Sequence, residues 1–331
     1  MARNILDDLP HLCKVLVEVV DQLVIRVIRK RGRPYVYSPK TMVKIFVVMV
    51  SFKIDSFRSL SRSLATNKEL RKACGLKEIV PNYRTLSRRL KSLESPICQL
   101  VKQVIKVLYQ QGVITLSIVA SDSTLLEAKG KKKHKDKPET QATDPDAAWG
   151  WSATRDWVFG YKLHLTSTVL WRGEIIPLSW EVTPANIHDT IPFLPLVDKA
   201  RQRTQFSGSK IRVSLADKGY DYNDNYLWHE KRKMWLVTPV RRFKGRKEHP
   251  LKERTKHLVD SPQGKKLYYR RGDTERLNGQ LKGVYLLDPL PVIGLTRAKN
   301  YCAVICFAFL SGVLYNHLNG RSARAIKSLV A

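Results

Sequence analysis

Three carboxylates in this chain stand out, two of them at positions where a carboxylate is costly. Between Val113 and Glu127, a predicted strand, residues Ile114, Leu116, Ile118, Ala120 and Asp122 alternate onto one face, so an acid completes an apolar row. Val213, Leu215 and Asp217 repeat the pattern on a later predicted strand, and Gly219 follows as a turn signal. Desolvating an ionised carboxylate is unfavourable by several kcal/mol unless it is paired or holds a metal. A salt bridge or a cap accounts for one such aspartate; two that end two hydrophobic rows call for more. The third acid lies between Tyr268 and Lys282, where Arg271 precedes Glu275 by four residues and Lys282 follows it by seven. On a continuous helix these side chains share a face with Tyr268. Gly272 interrupts that helix, and Asp273 or Thr274 would serve equally as an N-cap. Either way Glu275 sits beside Arg271.

Three carboxylates without histidine or cysteine suit hard cations bound through oxygen, which points to Mg²⁺, with Mn²⁺ as a substitute. Two ions about 3.5 to 4 Å apart would activate an attacking oxygen and stabilise a leaving one during in-line displacement at phosphorus. Arg271 can pair bidentately with phosphate, Lys282 acts as a point charge, and the Tyr268 hydroxyl can hydrogen-bond a nucleic-acid backbone. No Gly-x4-Gly-Lys loop is present, so ATP hydrolysis is not expected. The His-hydrophobe-His pair of strand-nicking relaxases is absent too. Cys302 and Cys306, one turn apart in an apolar helix, read as core packing, and Asp189 next to His188 reads as an N-cap.

The partner is legible in the charge. The 331 residues carry 59 Lys and Arg against 29 Asp and Glu, a formal net charge of +30. With 43% hydrophobic and 9% aromatic residues the chain has a real core, which excludes a disordered polycation. The charge is unevenly placed: residues 1–110 hold 22 basic and 8 acidic residues, residues 111–200 hold 10 and 11, and residues 201–331 hold 27 and 10. Two basic blocks around a neutral centre suggest two DNA-contacting regions on a core. Five cysteines without Cys-x-x-Cys argue for a reducing compartment. Asp7, Asp8, Glu18 and Asp21 break any signal-peptide pattern, and the apolar stretch Tyr301 to Tyr315 falls short of the roughly 20 residues of a membrane span.

The elements that must position these residues follow from periodicity. Helical spacing marks Leu9 to Ile28, Pro39 to Ile54 and shorter helices beginning near Phe57, Asn67 and Asn82. The last three have the rhythm of a helix-turn-helix, with Leu86, Leu90 and Leu93 inward and Tyr83, Arg84, Ser87, Arg88, Arg89 and Lys91 available to phosphates and base edges. From Val113 the pattern turns to strands: Val113 to Glu127, Tyr161 to Leu170 and Glu174 to Thr183. A helix near Asp189 to Gln202, a strand Ile211 to Ala216, a helix near Tyr222 to Lys233 and a strand Trp235 to Val240 follow. That order predicts an α/β fold with antiparallel first hairpins. Residues 241–256, with eight basic and two acidic residues, read as part of a basic loop (241–267) in which Arg241, Arg242, Lys244, Arg246 and Lys247 clamp a DNA end. Trp228 and Trp235 read as core, with stacking on an unpaired base as the alternative.

Taken together, Asp122, Asp217 and Glu275 with Tyr268, Arg271 and Lys282 at these spacings resemble the DDE transposases of bacterial insertion sequences, in the subgroup with the Tyr-Arg-Glu-Lys signature. The resemblance extends to Trp157-Val-Phe-Gly-Tyr-Lys162, to Asn186-Ile-His-Asp189 and to Ala216-Asp-Lys-Gly-Tyr-Asp221, and covers residues 40–318. It implies an RNase H-like mixed sheet as catalytic core (111–318), an N-terminal all-helical, helix-turn-helix-like DNA-binding region (1–110) and a C-terminal tail (319–331). Asp217 and Glu275 are only 58 residues apart, so the large β-rich insertion of some relatives is expected to be missing. The implied activity is metal-dependent cleavage at terminal inverted repeats and transfer of the 3′-OH ends into target DNA. The catalyst would be a homodimer or higher oligomer on double-stranded DNA, in the bacterial cytoplasm at the nucleoid. The alternatives are an inactive or domesticated DNA-binding protein and an RNase H-like nuclease without strand transfer.

Overall fold

Local capping defines the helices of the front half. In this computed structural model, which describes residues 11–26, 35–133, 140–169, 175–208, 210–241, 249–323 and 325–329, they are α1 (His11–Gln22), α2 (Pro39–Ser51), α3 (Phe57–Thr66), α4 (Lys68–Ala73), α5 (Tyr83–Leu90) and α6 (Glu94–Gln110). Ser38, Ser56, Asn67 and Asn82 each accept a hydrogen bond from the backbone N–H three residues on, capping α2, α3, α4 and α5. Leu86, Leu90 and Leu93 are buried as their spacing predicts.

Six strands form one mixed sheet: β1 (Ile118–Glu127), β2 (Ala148–Ser152), β3 (Asp156–Val169), β4 (Ile175–Pro184), β5 (Val213–Leu215) and β6 (Trp235–Val237). The order across the sheet is β4–β3–β1–β5–β6, antiparallel from β4 to β1 and parallel from β1 to β6. This is the RNase H-like arrangement, with the two aspartate-bearing strands side by side. β2 continues the outer edge of β3 beyond β4, pairing Trp151 with Trp157. That short strand, with a glycine at its centre, has no sequence pattern long enough to announce it. β1 also starts later than its apolar alternation suggests. Residues 113–117 precede the first ladder partners, and Ser117 offers its carbonyl to the backbone N–H groups of Arg212 and Val213 instead.

Around the sheet lie α7 (Thr190–Arg203), α8 (Asn223–Glu230), α9 (Pro250–Asp260), α10 (Pro262–Tyr269), α11 (Asp273–Val284) and α12 (Leu295–Leu318). The expected basic loop 241–267 is therefore largely helical: His249 and Ser261 cap α9 and α10, each followed by a proline at the first helical position. Leu258, Val259, Leu267 and Tyr268 from this pair of helices cover the sheet face formed by Ala120, Val169, Leu215 and Val237. α12 is long and apolar enough to cross a membrane, but most of it is enclosed by α1, α2, α6 and β4. It is the spine that joins the helical region and the sheet in one continuous core. Cys302 and Cys306 lie buried within it.

One buried charge fastens the exit of β5. The Asp221 carboxylate accepts hydrogen bonds from the Tyr226 hydroxyl (2.9 Å) and the Arg241 backbone N–H (2.6 Å), and pairs with Lys252 of α9 at 3.1 Å. Its side chain is wholly buried, so removing either charge strands the other. Asp221→Ala is expected to lower the unfolding free energy by about 3 to 5 kcal/mol, read as a shift of the urea midpoint; a loss under ~1 kcal/mol would show that water already reaches the pair.

Candidate active site

Parallel pairing brings the two aspartates together. Ala120 of β1 is in register with Leu215 of β5, the last pair of that ladder. Asp122 and Asp217 each lie two residues further on, so their side chains leave the same face of neighbouring strands. The chain stays extended through Asp217, which then caps a short 3-10 turn by accepting the Gly219 N–H at 2.6 Å. Its backbone carbonyl accepts the Thr238 hydroxyl at 2.5 Å, which ties it to the end of β6.

α11 closes this face. Thr274 Oγ1 and Asn278 Nδ2 both donate to Asp122 Oδ2, at 3.0 and 3.2 Å, and Arg271 Nη1 stands 3.9 Å from Asp122 Oδ1. Burial pushes the Asp122 acid up to about 6; the Arg271 charge and the hydrogen bonds from Ser123 and Thr274 counter part of this, and the Asp217 charge adds to it. Tyr220, buried and packed on Phe193 at 4.7 Å between ring centroids, feels the charges of Asp189, Asp122 and Asp217, and burial with these charges raises its hydroxyl. The site is thus a desolvated, acid-rich recess with one guanidinium at its edge.

Residues 115–310 match the family described as a transposase DDE domain, and residues 2–92 match one described as a transposase domain (DUF772). The chain belongs to the DDE transposase family. None of the curated proteins matches it in sequence. Among solved structures, the piggyBac transposase synaptic complex with hairpin DNA is similar over 99% of this chain and 81% of that one, at 12% identity and a TM-score of 0.41. The Mos1 mariner paired end complex with Mn is similar over 89% and 82%, at 12% identity and a TM-score of 0.23. Likeness of this order is loose.

Within the transposase, the other residues singled out by sequence fall in several places. Glu275 is beside Arg271, as its spacing requires, at 3.3 Å from Nη2. It is 71% exposed, however, and among the described residues no three His, Cys, Asp or Glu side chains stand together as a metal-holding group. The expected three-acid cluster is therefore not assembled in this state. The cause is visible: α11 starts only at Asp273, after a 3-10 turn, so it turns Thr274 and Asn278 toward Asp122 while Arg271 holds Glu275 outward. Lys282, expected on phosphate, donates to the Leu125 carbonyl at 2.8 Å and pairs with Asp288 at 3.1 Å; burial lowers its ammonium pKa. Tyr268 packs on the Ala120 face, and burial raises its hydroxyl.

In the helical region Arg84 and Arg88 are exposed on α5, and Tyr83 lies between Arg58 and Arg84, whose guanidinium carbons are 4.9 and 5.7 Å from its ring centroid. Arg89, expected on DNA, is instead buried: it donates to the Tyr37 carbonyl and stacks at 3.8 Å on the Tyr35 ring, so it fastens α5 to the segment before α2 and has no free face for DNA. Arg241 is anchored at the β5 exit, with Nε on the Lys218 carbonyl at 2.9 Å. Arg242, Lys244, Arg246 and Lys247 lie outside the described residues.

Sequence reading missed a polar cluster on the opposite face of β1. The Asp189 carboxylate makes no cap for α7; it accepts the Ser123 hydroxyl at 3.0 Å, pairs with Lys162 at 3.0 Å and lies 3.6 Å from His164 Nδ1. Burial lowers His164 to about 4, so it is neutral at physiological pH. The available signal was the alternation of Lys162, His164 and Thr166 through an otherwise apolar strand.

The acid strength of Asp122 makes a stability prediction. Its folded value near 6 lies above the ordinary 3.8, so ionisation destabilises the native state, the loss building between those two pH values and complete above 6. Asp122→Asn should therefore be more stable than wild type in chelator at pH 7.5, on the order of 3 kcal/mol, with the advantage vanishing near pH 4. A pH-independent difference in the denaturation midpoints would show that Asp122 is not desolvated.

Proposed function

We propose that this protein is an insertion-sequence transposase of the Tyr-Arg-Glu-Lys subgroup that cleaves DNA at terminal inverted repeats and joins the 3′-OH ends to target DNA. The observation that carries the reading is the register that sets Asp122 and Asp217 on one face of two parallel strands, under the helix that bears Glu275 and the turn before it that bears Arg271. The donor set fits a divalent cation: it is all oxygen, and Asp122 is a buried acid whose ionised form lacks a full countercharge. Asp122 and Asp217 would hold it, with Glu275 joining them once it leaves Arg271. Bound there, Mg²⁺ or Mn²⁺ supplies Lewis acidity toward the attacking and leaving oxygens of the phosphodiester.

The chain's own residues supply the rest. Thr274 and Asn278 fix the Asp122 carboxylate, so that it does not swing when charge develops near it. Arg271, once it gives up its carboxylates, presents a fork that matches two phosphate oxygens, and Tyr268 lies beside it to orient the strand. Asp288 holds Lys282 in place at the far end of α11. Tyr83, Arg84 and Arg88 form the face of α5 that recognises DNA, and holding two ends at once calls for a dimer or larger assembly. The outward Glu275 favours one second reading, a DNA-binding protein that does not cut.

Cleavage of labelled DNA carrying the element's own ends separates the two. Wild type in Mg²⁺ should nick at the element boundary, chelator should stop it, and Asp122→Asn, Asp217→Asn or Glu275→Gln should each lower the rate by at least ~10³-fold while end-binding persists. Boundary-specific binding with no cleavage in Mg²⁺ or Mn²⁺ would select the second reading. In the same binding assay, Arg84→Ala with Arg88→Ala should weaken affinity and reduce the slope of log K against log salt by about two. An unchanged slope would move DNA recognition off α5.

A further inference from the structure

The hairpin made by β2 and the start of β3 carries two tryptophans into solvent. Trp151 and Trp157 are direct cross-strand partners, so their rings stand on one face, and they are 59% and 50% exposed. Along β3 that face continues through Phe159, Tyr161 and Leu163 to Leu165, the ladder partner of Asp122. The tryptophan pair thus ends the same face of the sheet that bears the Asp122 carboxylate, roughly 26 Å away at about 3.3 Å per residue.

This end of the sheet is closely packed. A Cβ at Gly160 would fall 2.0 Å from the Leu126 carbonyl oxygen, and one at Gly150 would fall 2.6 Å from that of Ala185, so the hairpin is pressed against β1 and the end of β4. It is also flanked by cations. Trp149 Nε1 donates to the Lys133 carbonyl at 3.1 Å and the Lys131 N–H donates to Thr143 Oγ1 at 2.8 Å, which tethers the backbone carrying exposed Lys131, Lys132 and Lys133 alongside, while Arg155 occupies the turn. Of the nearby acids, Glu127 is engaged by Lys132 and Arg155, and Asp288 by Arg155 and Lys282; Asp156 is exposed at the start of β3.

We propose that Trp151 and Trp157 form a stacking platform for DNA bases exposed at a distorted or unpaired step of the duplex that reaches the Asp122 site. The proposal rests on the transposase reading above. Flat aromatic faces flanked by cations suit bases and phosphates together. A second copy of this chain, itself carrying a net +30, would bring cations against cations.

The test compares full-length protein on a fully paired duplex and on the same duplex with a central mismatch bubble containing 2-aminopurine. Wild type should prefer the bubble about tenfold and change the 2-aminopurine fluorescence by stacking. Trp151→Ala with Trp157→Ala should abolish both effects while affinity for the paired duplex stays within about twofold, and the double Phe variant should retain most of the preference. A bubble preference that survives in the Ala variant overturns the proposal. So does a wild type that cleaves the element's ends yet shows no preference, which leaves the transposase reading standing. A wild type that binds neither DNA removes both readings. Loss of self-association in the Ala variant with the bubble preference intact would assign the hairpin to a contact between copies and overturn the DNA platform.

Discussion

The parallel pairing of Ala120 with Leu215 is the constraint on which the site depends. It puts two carboxylates on adjacent strands with no residue between them, and the surrounding elements can be understood as ways of making that juxtaposition tolerable. Thr274 and Asn278 give the inner oxygen of Asp122 two donors, Gly219 gives Asp217 one, and Arg271 supplies the nearby positive charge. Even so the Asp122 acid remains far above its ordinary range, so the native protein stores an electrostatic cost at this point. A fold shaped only for stability would place an amide or an apolar side chain there.

The same constraint sets the division of labour along α11. Its first turns carry both Glu275 and the side chains that solvate Asp122, and a helix that begins at Asp273 can direct only one set of side chains inward. Thr274 and Asn278, four residues apart, take the inward position, and Arg271 links the inner and outer acids. Lys282, seven residues beyond Glu275, sits over the Leu125 carbonyl and is neutralised by Asp288. The guanidinium and the ammonium expected on phosphate are both paired with the protein's own carboxylates in this state, so neither strong cation is left as a stranded charge.

Beyond the site, the structure is organised around two burial problems. The apolar helix α12 is too hydrophobic to face water, and it solves this by lying between the helical region and β4, which welds the two into one core. The parallel edge of the sheet, β5 and β6, is only three residues wide in each strand and needs covering; α9 and α10 cover it. The buried pair of Asp221 and Lys252 then locks that cover to the turn that follows Asp217.

By itself the sequence determined the local and periodic features of this protein. Asn82 before the α5 leucines, the alternation leading to Asp122, and the four-residue step from Arg271 to Glu275 are set by neighbours in the chain, and a period of two or 3.6 exposes them directly. What only the tertiary structure decided were the relations between distant segments: that Arg89 turns inward onto Tyr35, that Asp189 serves Lys162 and Ser123 in place of a helix cap, and that Thr274 and Asn278 contact Asp122. The strand carrying Trp151 escaped notice because five residues with a central glycine leave no period to read. Side chains with several polar partners within reach choose among them by desolvation and register across long separations, and neither quantity exists until the sheet has closed.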